Sequence, residues 1–201
     1  MAISVSPSRL VLSVNKTATL TLGNDQDTLA DLVISVFRGV GADRADTDAI
    51  RIYPVSVSLS PSQERAVRVN TPSGEPRPST EEAYSISVEL WAPGSETAEV
   101  ISNVLLLVSQ RTSPGQRAAA AEALSVTRDD STVTLANASS CFVVLDSLSA
   151  GESAIGLGEA CLIPPEGSVS YPLPDDAAGP VTWTAWNERP AAKIRITTQQ
   201  A

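Results

Sequence analysis

The 201-residue sequence contains no histidine. Histidine is the usual general base and the commonest metal ligand, so Ser-His-Asp and Cys-His catalysis are excluded within a single chain. Basic residues are also scarce, at 14 Lys and Arg against 23 Asp and Glu, and the net charge is −9. Because phosphate neutralisation needs a basic footprint, nucleic-acid binding is not expected.

Long apolar segments are missing as well. The run Val104–Val108 has five large apolar residues, which is too few for a membrane-spanning helix. Met1–Val5 lacks a basic region followed by an apolar stretch, so no secretory signal is expected within this numbering. A composition of 42% hydrophobic and 18% charged residues indicates a folded chain with a core, and the length suggests one or two domains.

Cysteine occurs only twice, at Cys141 and Cys161. An even count in one half of the chain predicts a disulfide in an oxidising compartment. In the chain-entropy model, closing a loop of this length stabilises the fold by about 3 kcal/mol. The alternative is a pair of buried thiols in a cytosolic protein, and we favour the disulfide.

What the sequence does have is strand-like alternation. Val55–Leu59 and Tyr84–Trp91 alternate apolar and polar residues with period two, and turn residues interrupt the pattern at regular spacing. Roughly seven such strands precede Thr112, which is the pattern of an immunoglobulin-like sandwich. Thr71–Thr80 is rich in Pro, Gly and Ser and is predicted to be a surface loop.

The second half repeats the strand pattern after a break. Pro114 and Gly115 interrupt it. The alanines of Ala118–Ala123 could form a short helix, which at this length would be marginal alone, and the segment is interpreted as an interdomain linker. Short strand candidates follow: Leu124–Thr127, Thr132–Leu135, Cys141–Leu145, Ala160–Ile163, Ser168–Tyr171, Val181–Trp186 and Lys193–Thr197. The fold class is therefore predicted as all-β, with one domain at residues 1–115 and a smaller one at residues 116–201.

The segment Glu99–Arg111 is apolar enough to be a strand with apolar surroundings on both faces. It is either a central core strand or a strand with one face in the core and the other offered to a partner. The stretch alone favours the central strand. Period two places Val100, Ser102, Val104, Leu106 and Val108 on one face. It places Ile101, Asn103, Leu105 and Leu107 on the other.

In order and spacing, these landmarks resemble the periplasmic pilus chaperones of the chaperone–usher pathway. Ser8–Leu12 is similar to the family's first strand, and Tyr53–Val69 and Glu82–Pro93 are similar to later segments of its first domain. The second domain is matched by Asn137–Leu148, Leu162–Ser168 and Thr184–Glu188. The resemblance covers nearly the whole chain and is closest to the divergent members.

The resemblance implies two immunoglobulin-like domains in an L-shaped arrangement with a cleft between them. It implies a periplasmic protein without catalysis or cofactor. Such a protein binds a pilus subunit, completes the subunit's sandwich with its own strand, and delivers it to an outer-membrane usher. An exposed apolar edge is an aggregation risk, so the empty protein is expected to associate with itself.

The resemblance also implies site residues. Arg9 matches the cleft arginine that binds the subunit's terminal carboxylate in that family. Without the resemblance, Arg9 would be interpreted as an ordinary solvent-exposed arginine on a strand. We favour donation from one face of the central segment, formed by Val100, Val104, Leu106 and Val108. The family's second basic residue, a lysine, has no counterpart, since its expected place falls among Leu105–Leu107.

An interdomain ion bridge of Glu82, Arg111 and Glu188 is implied too. If exposed, it is worth about 1 kcal/mol or less. Arg111 alternatively substitutes for the missing lysine.

Two other classes of protein stay open. A structural or adhesive two-domain protein would bury the Val100–Val108 strand in the middle of a sheet instead of exposing its edge. A hydrolase would need two close carboxylates, such as Glu82 and Glu188, in a polar pocket.

Overall fold

The structure is a computed structural model that describes residues 3–13, 16–72, 79–92, 95–109, 115–158, 161–186 and 194–197. The chain divides into two compact units, one of residues 1–78 with 82–111 and one of residues 79–81 with 112–201. The predicted all-β class is confirmed, with a single short α-helix in the described residues. No helix within these ranges is long and apolar enough to span a bilayer.

In its described residues the first unit contains ten strands. They are β1 (Ile3–Ser6), β2 (Arg9–Ser13), β3 (Thr17–Asn24), β4 (Ala30–Arg38), β5 (Ala45–Asp46), β6 (Arg51–Tyr53), β7 (Ser56–Leu59), β8 (Glu64–Asn70), β9 (Glu82–Trp91) and β10 (Ala98–Ser109). The alternation in the sequence predicts most of them, because one side of each strand packs inward and the other does not.

The strands of the first unit form two sheets. One has the order β1-β3-β8-β6, and the other has the order β2-β10-β9-β4-β5, with β7 also paired to β4. Among the described pairs of this unit, β2 with β10 is parallel and the others are antiparallel. Their inner faces share one core, to which Leu20, Val67, Tyr84 and Ile86 contribute side chains that are 0% exposed. Burying an aliphatic side chain of this kind stabilises the fold by roughly 1.5–3 kcal/mol.

In the described part of the second unit, α1 (Gln116–Glu122) is followed by eight strands. They are β11 (Ser125–Arg128), β12 (Thr132–Asn137), β13 (Val143–Ala150), β14 (Ser153–Ala154), β15 (Leu162–Ile163), β16 (Gly167–Pro172), β17 (Val181–Ala185) and β18 (Ile194–Thr197). One sheet has the order β11-β12-β16, and the other β14-β13-β17-β18 with β15 beside β13.

The interpretation of the alanine-rich segment as a linker is wrong. It is the helix α1, and Ala120 and Ala121 are buried in the core of the second unit. The indole Nε1 of Trp183 donates a hydrogen bond to the carbonyl oxygen of Ala121 at 3.1 Å. Small side chains allow the helix backbone to lie close to the core, so alanine here indicates close packing.

The predicted disulfide is also wrong, because Cys141 and Cys161 are not bonded to each other. Strand register gives the reason. Val143 is paired with Ile163, and the amide of Leu145 donates to the carbonyl oxygen of Cys161 at 2.7 Å. Cys161, which precedes β15, therefore lies opposite Leu145, whereas Cys141 comes four residues before Leu145 and precedes β13. Four residues of extended chain span about 13 Å, well beyond the roughly 7 Å that a disulfide spans between Cα atoms.

Candidate functional site

The two halves of β10 have different neighbours. β9 pairs with β10 from Ala98 to Val108, so one edge is covered along almost its whole length. On the other edge, β2 pairs only with Leu105–Ser109. Within the described residues, no strand pairs with that edge from Ala98 to Val104. The strand is therefore central in its second half and an edge strand in its first.

Backbone groups of Asn103 point toward the open edge. The amide of Leu105 donates to the carbonyl oxygen of Ser8, on the side of β2, at 3.2 Å. Amide and carbonyl groups of a strand point to alternate sides, so those of Asn103 point the same way as those of Leu105. Because β2 begins only at Arg9, the described chain places no strand beside them. An added strand could pair with β10 there.

The inner face of β10 belongs to the core. Val104, Leu106 and Val108 are 0%, 0% and 2% exposed and lie in the core of the first unit. The choice of these three residues as the donated face is therefore wrong, since their side chains already fill the unit's own sandwich. What a partner meets is the opposite face.

A β-bulge explains why Val100 does not share the inner face. The register with β9 shifts between Val100 and Ser102, and the extra residue Ile101 packs against the core. Val100 consequently lies opposite Glu89 on the outer face, where 47% of it is exposed. A bulge adds one residue and reverses the alternation, which period two cannot anticipate.

The outer face is ordered in rows across neighbouring strands. Asn103 lies opposite Ser87, which lies opposite Ser35. In the next row Leu105 has Arg9 on one side and Ser85 on the other. The predicted site residue Arg9 is thus next to β10, on the outer face, because Leu10 and Leu12 point into the core. Leu105 is half-buried in this row.

Arg44 reaches this face from the segment between β4 and β5. Its guanidinium lies 4.5 Å from the ring centroid of Phe37, a cation–π distance. Its Nη1 donates to Oδ1 of Asn103 at 3.2 Å. The strand β9 lies between those two partners, so the side chain crosses the outer face of β9, which carries the small residues Ser85 and Ser87 there. The sequence alone gave no indication of this contact.

The predicted Glu82–Arg111–Glu188 bridge is only partly within the described chain. Glu82 forms an ion pair with Arg38 and accepts a hydrogen bond from the Tyr84 hydroxyl at 2.9 Å. The hydrogen bond to Glu82 raises the pKa of Arg38. Arg111 and Glu188 lie outside the described residues, so the bridge stays a prediction.

A buried ion pair that sequence reasoning missed joins Arg117 to Glu81. The guanidinium donates to both carboxylate oxygens, at 2.7 and 2.8 Å, and to the carbonyl oxygen of Phe142 at 2.9 Å. The Phe142 amide donates to Glu81 at 2.8 Å, and the two charged side chains are 2% and 0% exposed. Both residues belong to the second unit, although β9, which starts at the next residue, belongs to the first. The ion pair therefore fixes residues 79–81 in the second unit.

Metal ligands do not cluster in the described ranges: no group of three or more Cys, Asp or Glu side chains there could hold an ion. What the site offers is an open backbone edge, two outward apolar side chains at Val100 and Leu105, and the cations of Arg9 and Arg44. That arrangement suits the binding of an extended peptide segment.

No protein-family model matches the chain, and no curated protein matches it. Solved structures match nearly all of it. The E. coli chaperone DraB has a TM-score of 0.81 at 21% identity, with 99% of this chain and 98% of that chain covered. The periplasmic chaperone SfaE has a TM-score of 0.80 at 19% identity, with 99% and 100% covered. A structure of the Salmonella enterica SafA pilin in complex with the SafB chaperone has a TM-score of 0.81 at 16% identity, with 98% and 96% covered.

The chain has the fold of these chaperones. The predicted pair of immunoglobulin-like sandwiches is thereby confirmed. In this chaperone fold the first unit carries β10, with its open edge and outer face formed as described above.

Proposed function

We propose that this protein is a periplasmic chaperone that binds pilus subunits by lending them the first half of β10. The observation that carries the proposal is the open edge from Ala98 to Val104, next to outward-facing Val100 and Leu105. The likeness to a chaperone solved in complex with a pilin supports it.

The geometry of β10 supports strand donation. A subunit strand beside β10 gains main-chain hydrogen bonds from groups such as those of Asn103, and these give affinity without sequence preference. The outer side chains Val100 and Leu105 supply apolar area for the subunit's groove. The inner side chains Val104 and Leu106 hold the strand in the chaperone's own core, so the strand can be lent without leaving its sheet.

Arg9 is proposed as the residue that binds the subunit's terminal carboxylate. It lies directly beside Leu105 on the outer face, and an arginine fork suits a carboxylate. Because the family's lysine has no counterpart here, we propose that a second cation near β10 contributes to binding this carboxylate.

Delivery to an outer-membrane usher needs a surface that stays exposed while the subunit is bound. Tyr53, the last residue of β6, and Val55, which precedes β7, are 77% and 58% exposed, and neither β6 nor β7 pairs with β10. We propose this pair as part of that surface. In the empty protein, the open edge of β10 is proposed to pair with a second copy.

One observation favours the alternative of a structural protein without strand donation. The second half of β10, from Leu105 to Ser109, is central in its sheet, as that alternative requires. The two proposals differ only in the first half, so the test addresses that half.

The test is co-expression with a candidate pilus subunit, followed by co-purification and size analysis. The unaltered chain is expected to yield a one-to-one complex, and Leu105→Glu to yield less than about a tenth as much, because the charge enters the apolar contact. The matched control is Leu29→Glu, which makes the same change at a residue that is 57% exposed and precedes β4. Equal yields from all three chains would place binding elsewhere, and no complex at all would favour the structural alternative.

A further inference from the structure

The outer face of β10 has one polar position between its apolar side chains. Asn103 lies between Val100 and Leu105 on this face and is exposed. Its Oδ1 already accepts from Arg44 at 3.2 Å, which leaves the Nδ2 hydrogens for another acceptor. Arg44 is held in place from its other side by the ring of Phe37, at 4.5 Å. The pair is therefore preorganised and exposed.

Most of the remaining hydrogen-bonding capacity of this pair is that of donors. A guanidinium has five N–H groups, and the described contacts of Arg44 use the one that donates to Asn103. Within the described residues, Arg44 has no carboxylate within ion-pair distance. Glu89 is the acid of β9 on this face, one row away opposite Val100, and it makes no ion pair with Arg44. In a chain with net charge −9, this positive group stands without a described counter-ion.

The donors are next to the open edge. A strand that pairs with β10 has one residue directly opposite Asn103, with its side chain on the same face. Cross-strand neighbours have Cβ atoms about 4.5–5.5 Å apart, so an acidic side chain at that position can accept from Nδ2 of Asn103 and approach the guanidinium that lies on the other side of Asn103. An aliphatic side chain there would leave these donors desolvated without an acceptor, which is costly.

We propose that Arg44 and Asn103 together recognise an acidic side chain, Asp or Glu, on the subunit strand that pairs with β10. The inference rests on the proposed function and adds a specificity to it: subunits with a carboxylate opposite Asn103 are selected over subunits with an apolar residue there. Arg44 is a binding residue of the site, and Phe37 positions it.

The experiment measures the dissociation rate of the complex with the candidate pilus subunit, at low and at high salt. Arg44→Gln is expected to accelerate dissociation by about ten- to hundredfold, the effect of losing a hydrogen bond to a charged group. High salt is expected to accelerate dissociation of the unaltered complex, and much less that of the Arg44→Gln complex. Arg68→Gln is the matched control, since Arg68 is an exposed arginine of β8 in the other sheet.

Asn103→Asp separates binding from folding. The new carboxylate meets Arg44 within the chain, so the thermal midpoint is expected to stay or rise while dissociation accelerates at least tenfold by repulsion of the partner's acid. A double-mutant cycle then identifies that acid: one Asp→Asn or Glu→Gln change on the subunit's paired strand abolishes the effect of Arg44→Gln.

Two outcomes overturn the inference in different ways. If the complexes of the Arg44→Gln and Asn103→Asp chains both dissociate at rates within about twofold of the rate of the unaltered complex, the proposed function stands and this specificity is wrong. A cycle in which no subunit side chain couples to Arg44 has the same meaning. If the unaltered chain forms no complex, the proposed function fails and the inference fails with it.

Discussion

Replacing Arg117 with alanine is expected to lower the free energy of unfolding of the second unit by about 3–5 kcal/mol. The guanidinium is 2% exposed and holds both oxygens of Glu81, whose side chain is 0% exposed. Its removal leaves a buried carboxylate with the Phe142 amide and without its cation. The measurement is urea unfolding followed by the fluorescence of Trp183 and Trp186, in a Trp91→Phe background that removes the tryptophan of the first unit.

The double replacement Arg117→Met with Glu81→Leu is the informative comparison. When both charges are replaced by apolar side chains of similar length, no buried charge is left alone, so most of the loss should be recovered. The exposed residue Arg65, changed to alanine, is the control for removing an arginine as such. A loss below about 1 kcal/mol for Arg117→Ala would contradict the assignment of a buried, structurally required pair.

Leu106→Glu is expected to unfold the first unit, at a cost above about 4 kcal/mol, because it places a charge in a filled core. Leu106 is 0% exposed and shares that core with Leu10 on β2, its partner in the register. Circular dichroism gives the loss of structure, and limited proteolysis with mass spectrometry assigns the new cleavage sites to a unit.

Leu105→Glu is the matched control, since it makes the same change one residue away on the outer face. Leu105 is half-buried beside Arg9, so the expected cost is about 1 kcal/mol or less, and the variant stays folded. If Leu105→Glu lowered the stability more than Leu106→Glu, the assignment of the inner and outer faces of β10 would be wrong.

The strands were predictable from sequence because burial on one face produces alternation. Val55–Leu59 and Tyr84–Trp91 became β7 and β9 with small changes at their ends. The alternation depends only on neighbours in the chain, so it is visible in the sequence. Fold class followed from the order of such strands, and the chaperone-like architecture was implied by the resemblance to a known family.

The faces of β10 were not predictable, because the bulge at Ile101 is a property of pairing with β9. Period two places Val100 and Val104 on the same face of the strand. Because of the bulge, Val100 lies on the outer face and Val104 lies in the core. The sequence gives the apolar residues of a strand but not the residue at which its register shifts.

Long-range contacts were missed for the same reason. The register of β13 with β15 separates Cys141 from Cys161, and nothing in their spacing reveals it. Arg117 and Glu81 lie next to the segments interpreted as linker and loop, where charge is ordinary. Only the packing of α1 into the second unit makes them a buried pair.

The most direct test of strand donation is residue-resolved amide hydrogen exchange of β10, in the empty monomeric chain and in its complex with the pilus subunit. In the empty chain, the amide of Asn103 is expected to exchange rapidly, and that of Leu106 slowly, because only the second is in a covered part of the sheet. On binding, Asn103 is expected to gain protection of at least about a hundredfold, since its amide enters a new ladder. A stable complex in which exchange at Asn103 is unchanged would contradict the donation of this strand.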